Sequence, residues 1–244
     1  MLTPRVRSLT KKVLREAASR TSKAWNPRGW SDADKEKLLL VDPHSIAHYR
    51  TIAGWEHPHL AGYDEAGGVT ARKFVRLNSG KVLDGDWDLN LPSFDNNDIY
   101  RLLHAHYCEG MEWEEIDVYQ RFLGDIEQGE RRWHWSSNEE ELRQAARVTE
   151  KLYESMRRYG CRPSETGDDI TVSIARDGRL LYNNVGGHHR LSIAKILDLD
   201  EVPVRVLVRH KEWQELRDGL RKRRPDAEPL SPELLNHPDL QDLL

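Results

Sequence analysis

Asn183-Asn184-Val185-Gly186-Gly187-His188-His189-Arg190-Leu191-Ser192-Ile193-Ala194-Lys195-Ile196-Leu197 reads as the end of a strand, a glycine turn and the start of a helix. Two consecutive glycines allow backbone angles closed to other residues and let a ligand approach the main chain. The helix begins at about His188, with Leu191, Ala194 and Leu197 on one apolar face and Ser192, Lys195 and Asp198 off it. Its first amides lack intrahelical acceptors, and its dipole favours negative charge at that end. Two histidines and Arg190, whose guanidinium is a forked donor, make phosphate the natural ligand there. The plain alternative is an ordinary strand-to-helix turn with solvated basic side chains.

Working outward, Ile170-Thr171-Val172-Ser173-Ile174 and Leu180-Leu181-Tyr182 flank Arg176-Asp177-Gly178-Arg179, and Asp-Gly between two such runs predicts a hairpin. Upstream, Ser137 with Glu140 forms a capping box for a helix over Glu139 to Tyr159, which Gly160 ends. Leu142, Ala145, Thr149, Leu152, Met156 and Tyr159 are its inward stripe. Downstream, Val202 to Val208 reads as a strand and Lys211 to Leu220 as a helix.

This ordered set of helix, hairpin, Gly186-Gly187-His188-His189-Arg190, helix and Val-Pro-Val strand resembles the ParB/sulfiredoxin-like fold over about Ser137 to His210. Val41-Asp42-Pro43-His44-Ser45-Ile46 resembles the short strand and turn that open such a domain, and about half of the chain lies outside the likeness. The resemblance implies an α/β core of a small mixed sheet and helices over residues 31–220, with a mainly helical insertion at about 49–136. It also implies that Gly186, Gly187, His188, His189 and Arg190 hold the phosphates of a nucleotide, ATP or another nucleoside triphosphate. Members of that superfamily hydrolyse CTP, use ATP with a cysteine, or phosphorylate a small hydroxyl compound. His188 stands where the sulfiredoxin motif has its cysteine, and only about 35 residues follow Val208, too few for the helix-turn-helix domain of a partition protein. What the resemblance leaves is an ATP-dependent phosphotransferase, a kinase acting on a small hydroxyl-bearing acceptor, with His189 among its catalytic groups.

Such chemistry needs an acid and Mg2+, which prefers carboxylates together with phosphate oxygens. Asp84-Gly85-Asp86-Trp87-Asp88 offers three acids at alternate positions, with Asp84 and Asp86 as metal ligands and any of Asp84, Asp86 and Asp88 as the catalytic acid. A polar turn explains them equally well. Just before them, Lys73-Phe74-Val75-Arg76-Leu77 and Lys81-Val82-Leu83 flank Asn78-Ser79-Gly80, which reads as a second hairpin. Helices are expected at Asp98 to Cys108 and Glu112 to Leu123. His104 and His106 point in different directions on a helix, so they read as core or surface rather than as a metal pair. Arg131-Arg132-Trp133-His134-Trp135 can stack a base or close a core edge.

Of 244 residues, 38% are apolar and 32% charged, and no apolar run of about 18 residues spans a membrane. Two cysteines, Cys108 and Cys161, and a start without an apolar signal core make the cytoplasm the expected location. A formal charge of -4 argues against a chain devoted to coating DNA. Residues 1–24 carry seven basic side chains against Glu16 and repeat apolar residues at helical spacing, a basic amphipathic helix suited to its own domain, a membrane surface or a protein partner. Residues 25–30 read as a linker and 221–244 as an exposed tail, whose Arg221-Lys222-Arg223-Arg224 run also supports a DNA-binding or nuclease alternative. A non-catalytic, nucleotide- or anion-responsive binding module is the other alternative.

Overall fold

A computed structural model describes residues 31–34, 38–50, 71–164, 169–223 and 229–244. The basic helix expected over 1–24 and the linker after it lie outside the described residues.

β1 (Leu38–Val41) leads through a 3-10 turn at Pro43–Ser45 into β2 (His48–Tyr49), with the Asp42 carboxylate accepting the His44 N–H at 2.7 Å. The next element corrects the sequence reading, because Lys73–Leu77 is not a strand but lies within α1 (Ala71–Asn78). Phe74 and Asn78, four residues apart, are buried together. Asn78 Nδ2 donates to the Phe74 carbonyl at 3.0 Å and Ser79 Oγ to that of Val75 at 2.7 Å, so both side chains close the last helical turn. Gly80, at φ +88°, then stops the helix. The Asn-Ser-Gly signal was therefore a helix end, and β3 (Lys81–Leu83) pairs elsewhere.

α2 (Asp98–Tyr107) is capped by Asn97, whose side chain accepts from the Ile99 and Tyr100 amides. The helix expected from Glu112 is split into a 3-10 turn at Trp113–Glu115 and α3 (Asp117–Glu127), since Ile116 is extended at ψ 126°. α4 (Glu139–Tyr159) has the expected bounds, but its cap differs from the expected Ser137. Asn138 is its cap, accepting from the Glu141 N–H at 2.9 Å, and it is Glu141 that reaches back to Ser137. Leu142, Ala145, Thr149 and Met156 are buried as expected, whereas Tyr159 is exposed.

β4 (Ile170–Ile174) and β5 (Leu180–Tyr182) form the expected antiparallel hairpin. α5 (His188–Ile196), β6 (Val202–His210), α6 (Lys211–Arg221) and α7 (Pro232–Asn236) follow. The fold is thus mixed α/β, with a six-stranded sheet in the order β1-β6-β4-β5-β2 and β3 also on β6. β6 is antiparallel to β1 and parallel to β4 and β3, and β2 is parallel to β5.

One face of the sheet presents Ile170, Val172, Tyr182, Val202 and Val204 to α2, α4 and α5, building the main core. A register shift between Val172 and Ile174 changes which β6 side chains face which way, so Leu207 and Val208 join Phe74, Leu83 and Trp87 in a smaller cluster. The stretch read as an exposed tail is, over its described part 229–244, docked onto the domain. Leu240 and Asp239 are buried, and Asp239 accepts from Arg209 and, at 2.9 Å, from Trp213 Nε1. Side chains of opposite charge far apart in sequence, Asp32, Arg217 and Asp239, hold that contact.

Candidate functional site

The glycine turn sits at the start of β4, where the backbone passes from β5 into α5. Gly187 is the N-cap, at φ +74° and ψ 15°, and as a glycine it has no side chain of its own to cap the helix. A Cβ on Gly187 would lie 2.6 Å from Ile170 Cα and 2.7 Å from its nitrogen, so the turn is pressed directly on the β4 backbone. Tyr182 Oη donates to the Gly186 carbonyl at 3.2 Å and fixes the other half of the turn. Beneath it the buried Asp169 carboxylate accepts from the Ser164 N–H at 2.8 Å and from Arg205 at 2.9 Å.

The three side chains that open α5 have different surroundings. Arg190 Nη1 donates to the Arg162 carbonyl at 2.5 Å and the guanidinium is half-buried, beside Cys161. Burial raises the Cys161 thiol pKa while Arg190 pulls it back, so the thiol is the resting form. His188 is half-buried, with its ring centroid 4.1 Å from that of His189.

His189 is a buried neutral ring. Trp133 Nε1 donates to its Nε2 at 2.6 Å, which puts the ring proton on Nδ1. His134 stacks on it at 4.3 Å with the planes nearly parallel, and burial, helped by His188 and His134, holds its pKa well below the ordinary histidine value. With Nε2 already taken by Trp133, His189 locks the Trp133–Trp135 turn to α5. That turn is itself unusual, because His134 and Trp135 both have positive φ, at 55° and 65°.

The sign of a pH dependence follows. A histidine kept neutral in the folded state binds its proton only after unfolding, so stability falls as pH drops below about 6.5. Urea unfolding from pH 7.5 to 5 is expected to show a loss of up to about 2 kcal/mol that His189→Gln, which keeps an acceptor for Trp133, removes. An unchanged slope in that variant would mean that His189 takes up its proton in the folded state.

The sequence placed Ser192 and Lys195 on a polar side of α5. In the fold the helix is enclosed nearly all round, Ser192 being 0% and Lys195 8% exposed. The signal was present, since Ile193 and Ile196 sit away from Leu191 and Ala194 and leave little of the circumference polar. Among the described residues the Ser192 hydroxyl has no hydrogen-bond partner. Lys195 Nζ lies 5.2 Å from the centroid of the Phe94 ring. Burial lowers the Lys195 pKa, and the exposed carboxylates of Asp42 and Asp95 partly restore it.

The acidic loop is elsewhere. Leu83 pairs with His210 at the end of β6, whereas Ile170, under the glycine turn, pairs with Val204. Six β6 residues separate the two places, roughly 20 Å at the usual strand rise. Each acid there also has a cation: Asp84 accepts from Lys211 at 2.8 Å, Asp86 from Arg176 at 2.8 Å, and the buried Asp88 from Arg176 through side chain and amide. His104 and His106 are occupied as well, by Glu109 and the Met111 carbonyl. Among the described residues no group of three or more His, Cys, Asp or Glu side chains is placed to hold a metal ion, and no helix is long and apolar enough to cross a membrane.

Neither a family model, nor a curated protein, nor a solved structure matches this chain.

Proposed function

We propose that this chain is a nucleotide-binding protein with a ParB/sulfiredoxin-like core, which takes the phosphates of its ligand at the Gly186–Arg190 turn. The observation that carries the reading is Gly187, a helix start in a left-handed conformation pressed on the β4 backbone with no room for a side chain, followed within one turn by Arg190. Backbone amides and a guanidinium at a helix N-terminus are the usual donors to phosphate oxygens. His189 contributes by holding the turn rather than by binding.

Phosphoryl transfer to a small hydroxyl compound is the activity such a site is suited to. Its acid would not come from Asp84, Asp86 or Asp88, which are paired with cations at the far end of β6. Asp42 and Asp95, close enough to α5 to act on Lys195, are better placed. Mg2+ would be held by such a carboxylate together with the phosphates of the nucleotide, where it would neutralise the charge of the transferred group. The DNA-binding alternative is weakened by Arg132 and Arg221, both of which are engaged by acidic side chains.

Thermal unfolding with ATP, ADP, CTP or GTP, with and without Mg2+, tests the reading. A ligand at 100 times its dissociation constant adds about 2.7 kcal/mol, which is roughly 5 to 10 °C for a chain of this size. That shift is expected with at least one nucleotide and is expected to vanish in Arg190→Ala. No shift with any of them would sink the proposal.

A further inference from the structure

Residues 229–244 dock on the domain with little apolar anchorage. Only Asp239 and Leu240 of them are buried, and α7 buries no side chain. The segment is fixed instead where His237 enters it. This half-buried ring lies 4.5 Å, centroid to centroid, from that of Trp213 on α6, and it caps the 3-10 turn at Pro238–Leu240.

Both ring nitrogens of His237 meet main-chain groups whose roles are fixed. Nε2 lies 2.9 Å from the Gly178 carbonyl, which can only accept, so Nε2 carries the proton. Nδ1 lies 3.2 Å from the Asp239 nitrogen, whose N–H can only donate, so Nδ1 is bare. The docked segment therefore takes one form of the ring, the neutral Nε2–H tautomer. A second proton would sit on Nδ1 and face the Asp239 N–H, donor against donor. The packing leaves little room to turn the ring, since a Cβ on Gly178 would lie 2.7 Å from the Trp213 ring and 3.4 Å from His237 Nε2.

Burial, the largest influence, lowers the His237 pKa; Arg217 of α6 and Arg209 of β6 lower it further, while the Gly178 carbonyl and Asp239 pull the other way. Asp239 is engaged by both arginines, and Asp32 and Asp242 are held by Arg217. In the β4–β5 turn Asp177 is paired with Arg179 at 2.6 Å.

We propose that His237 is a pH-sensitive latch, whose protonation releases residues 232–244 from β6, α6 and the β4–β5 turn while the sheet stays folded. Release takes Asp239 off Arg209, Arg217 and Trp213. A ring that gains its second proton only in the released form shifts the balance toward release as pH falls below about 6.5, by at most about tenfold per pH unit. Asp32 and Asp239, whose pKa values are depressed, stay ionised from pH 7 to 5.5, so they hold the segment equally throughout.

The test is amide hydrogen exchange of the full chain, followed by NMR from pH 7 to 5.5, with each rate referred to that of an unstructured peptide at the same pH. The amides of Asp239, Leu240 and Leu243, bonded to His237 Nδ1, the His237 carbonyl and the Leu240 carbonyl, report the segment. Their protection is expected to fall about five- to tenfold over that range. The β6 amides, which open only with the whole fold, should stay better protected at every pH. His237→Asn keeps an oxygen for the Asp239 N–H and takes up no proton, so protection of the three amides should no longer depend on pH. His237→Gln repeats the measurement should the first variant not fold. Protection of the three amides that is flat with pH in the wild type would overturn the inference, as would a slope that survives in the variants. Equal protection of the segment and β6 would also overturn it, because the segment would then open only with the whole fold.

Discussion

Gly187→Ala is expected to cost about 2 to 5 kcal/mol and to abolish any nucleotide response. Two effects add. A left-handed conformation costs a residue with a side chain about 1 to 2 kcal/mol. The new methyl would also meet Ile170 Cα at 2.6 Å and the Asp169 carbonyl carbon at 2.9 Å, backbone atoms that cannot move aside as a flexible side chain can. Overpacking of that kind typically adds 1 to 3 kcal/mol. Gly129→Ala is the control, since Gly129 has φ +87° with nothing within 4 Å of its Cβ position. It should show the conformational cost alone, about 1 to 2 kcal/mol. Equal losses in urea unfolding would mean that the β4 contact is unimportant and that the turn tolerates a side chain. A larger loss at Gly187 would establish that the turn is braced on the sheet, the rigidity a phosphate site requires.

The parts of this fold legible in the sequence are those in which one local signal has one meaning. Asp177-Gly178 between β-branched runs gave the β4–β5 hairpin, and the apolar spacing from Leu142 to Met156 gave α4. Gly186-Gly187 before His188 placed the start of α5 correctly. Asn78-Ser79-Gly80 failed because the same residues serve hairpin turns and helix ends. Only the side-chain bonds of Asn78 and Ser79 back into α1 decide between them.

The candidate site was half legible for a different reason. Backbone geometry at a glycine pair is a local property, so the turn was readable. Which carboxylate reaches it is a matter of strand order. Asp84 to Asp88 and the glycine turn are both at strand ends, and nothing local tells that Leu83 pairs with His210 while Ile170, where β4 starts, pairs with Val204. Lys195 was misplaced because a charged side chain is assigned to solvent by default. The docked C-terminal segment was missed likewise, since Asp32, Arg217 and Asp239 each look solvated until the fold brings them together.

That last group carries the second large effect. The Arg217 side chain is 0% exposed and donates to Asp32 at 3.2 Å, to Asp242 at 2.8 Å and to the Asp239 carbonyl. Burial would raise the Asp32 carboxyl pKa, but bonds from Arg217 and Gln214 outweigh it and hold that carboxyl well below the usual range. Asp239 is lowered in the same way, against its burial, by Arg209 and Arg217. Arg217→Met is therefore expected to cost about 3 to 5 kcal/mol, the usual penalty for stranding buried carboxylates. The melting point should fall by roughly 6 to 20 °C at pH 7. Carboxylates with depressed pKa values contribute their stability above about pH 4 and lose it as pH falls further, so the gap between variant and wild type should narrow in acid. Adding Asp32→Asn to Arg217→Met should recover part of the loss, because it neutralises a charge the first change left unpaired. A gap that stays constant from pH 7 to pH 3, or a double variant no better than the single one, would assign the cost to lost packing of the arginine side chain. Either way the measurement decides whether charge or shape holds the C-terminal segment against β6 and α6.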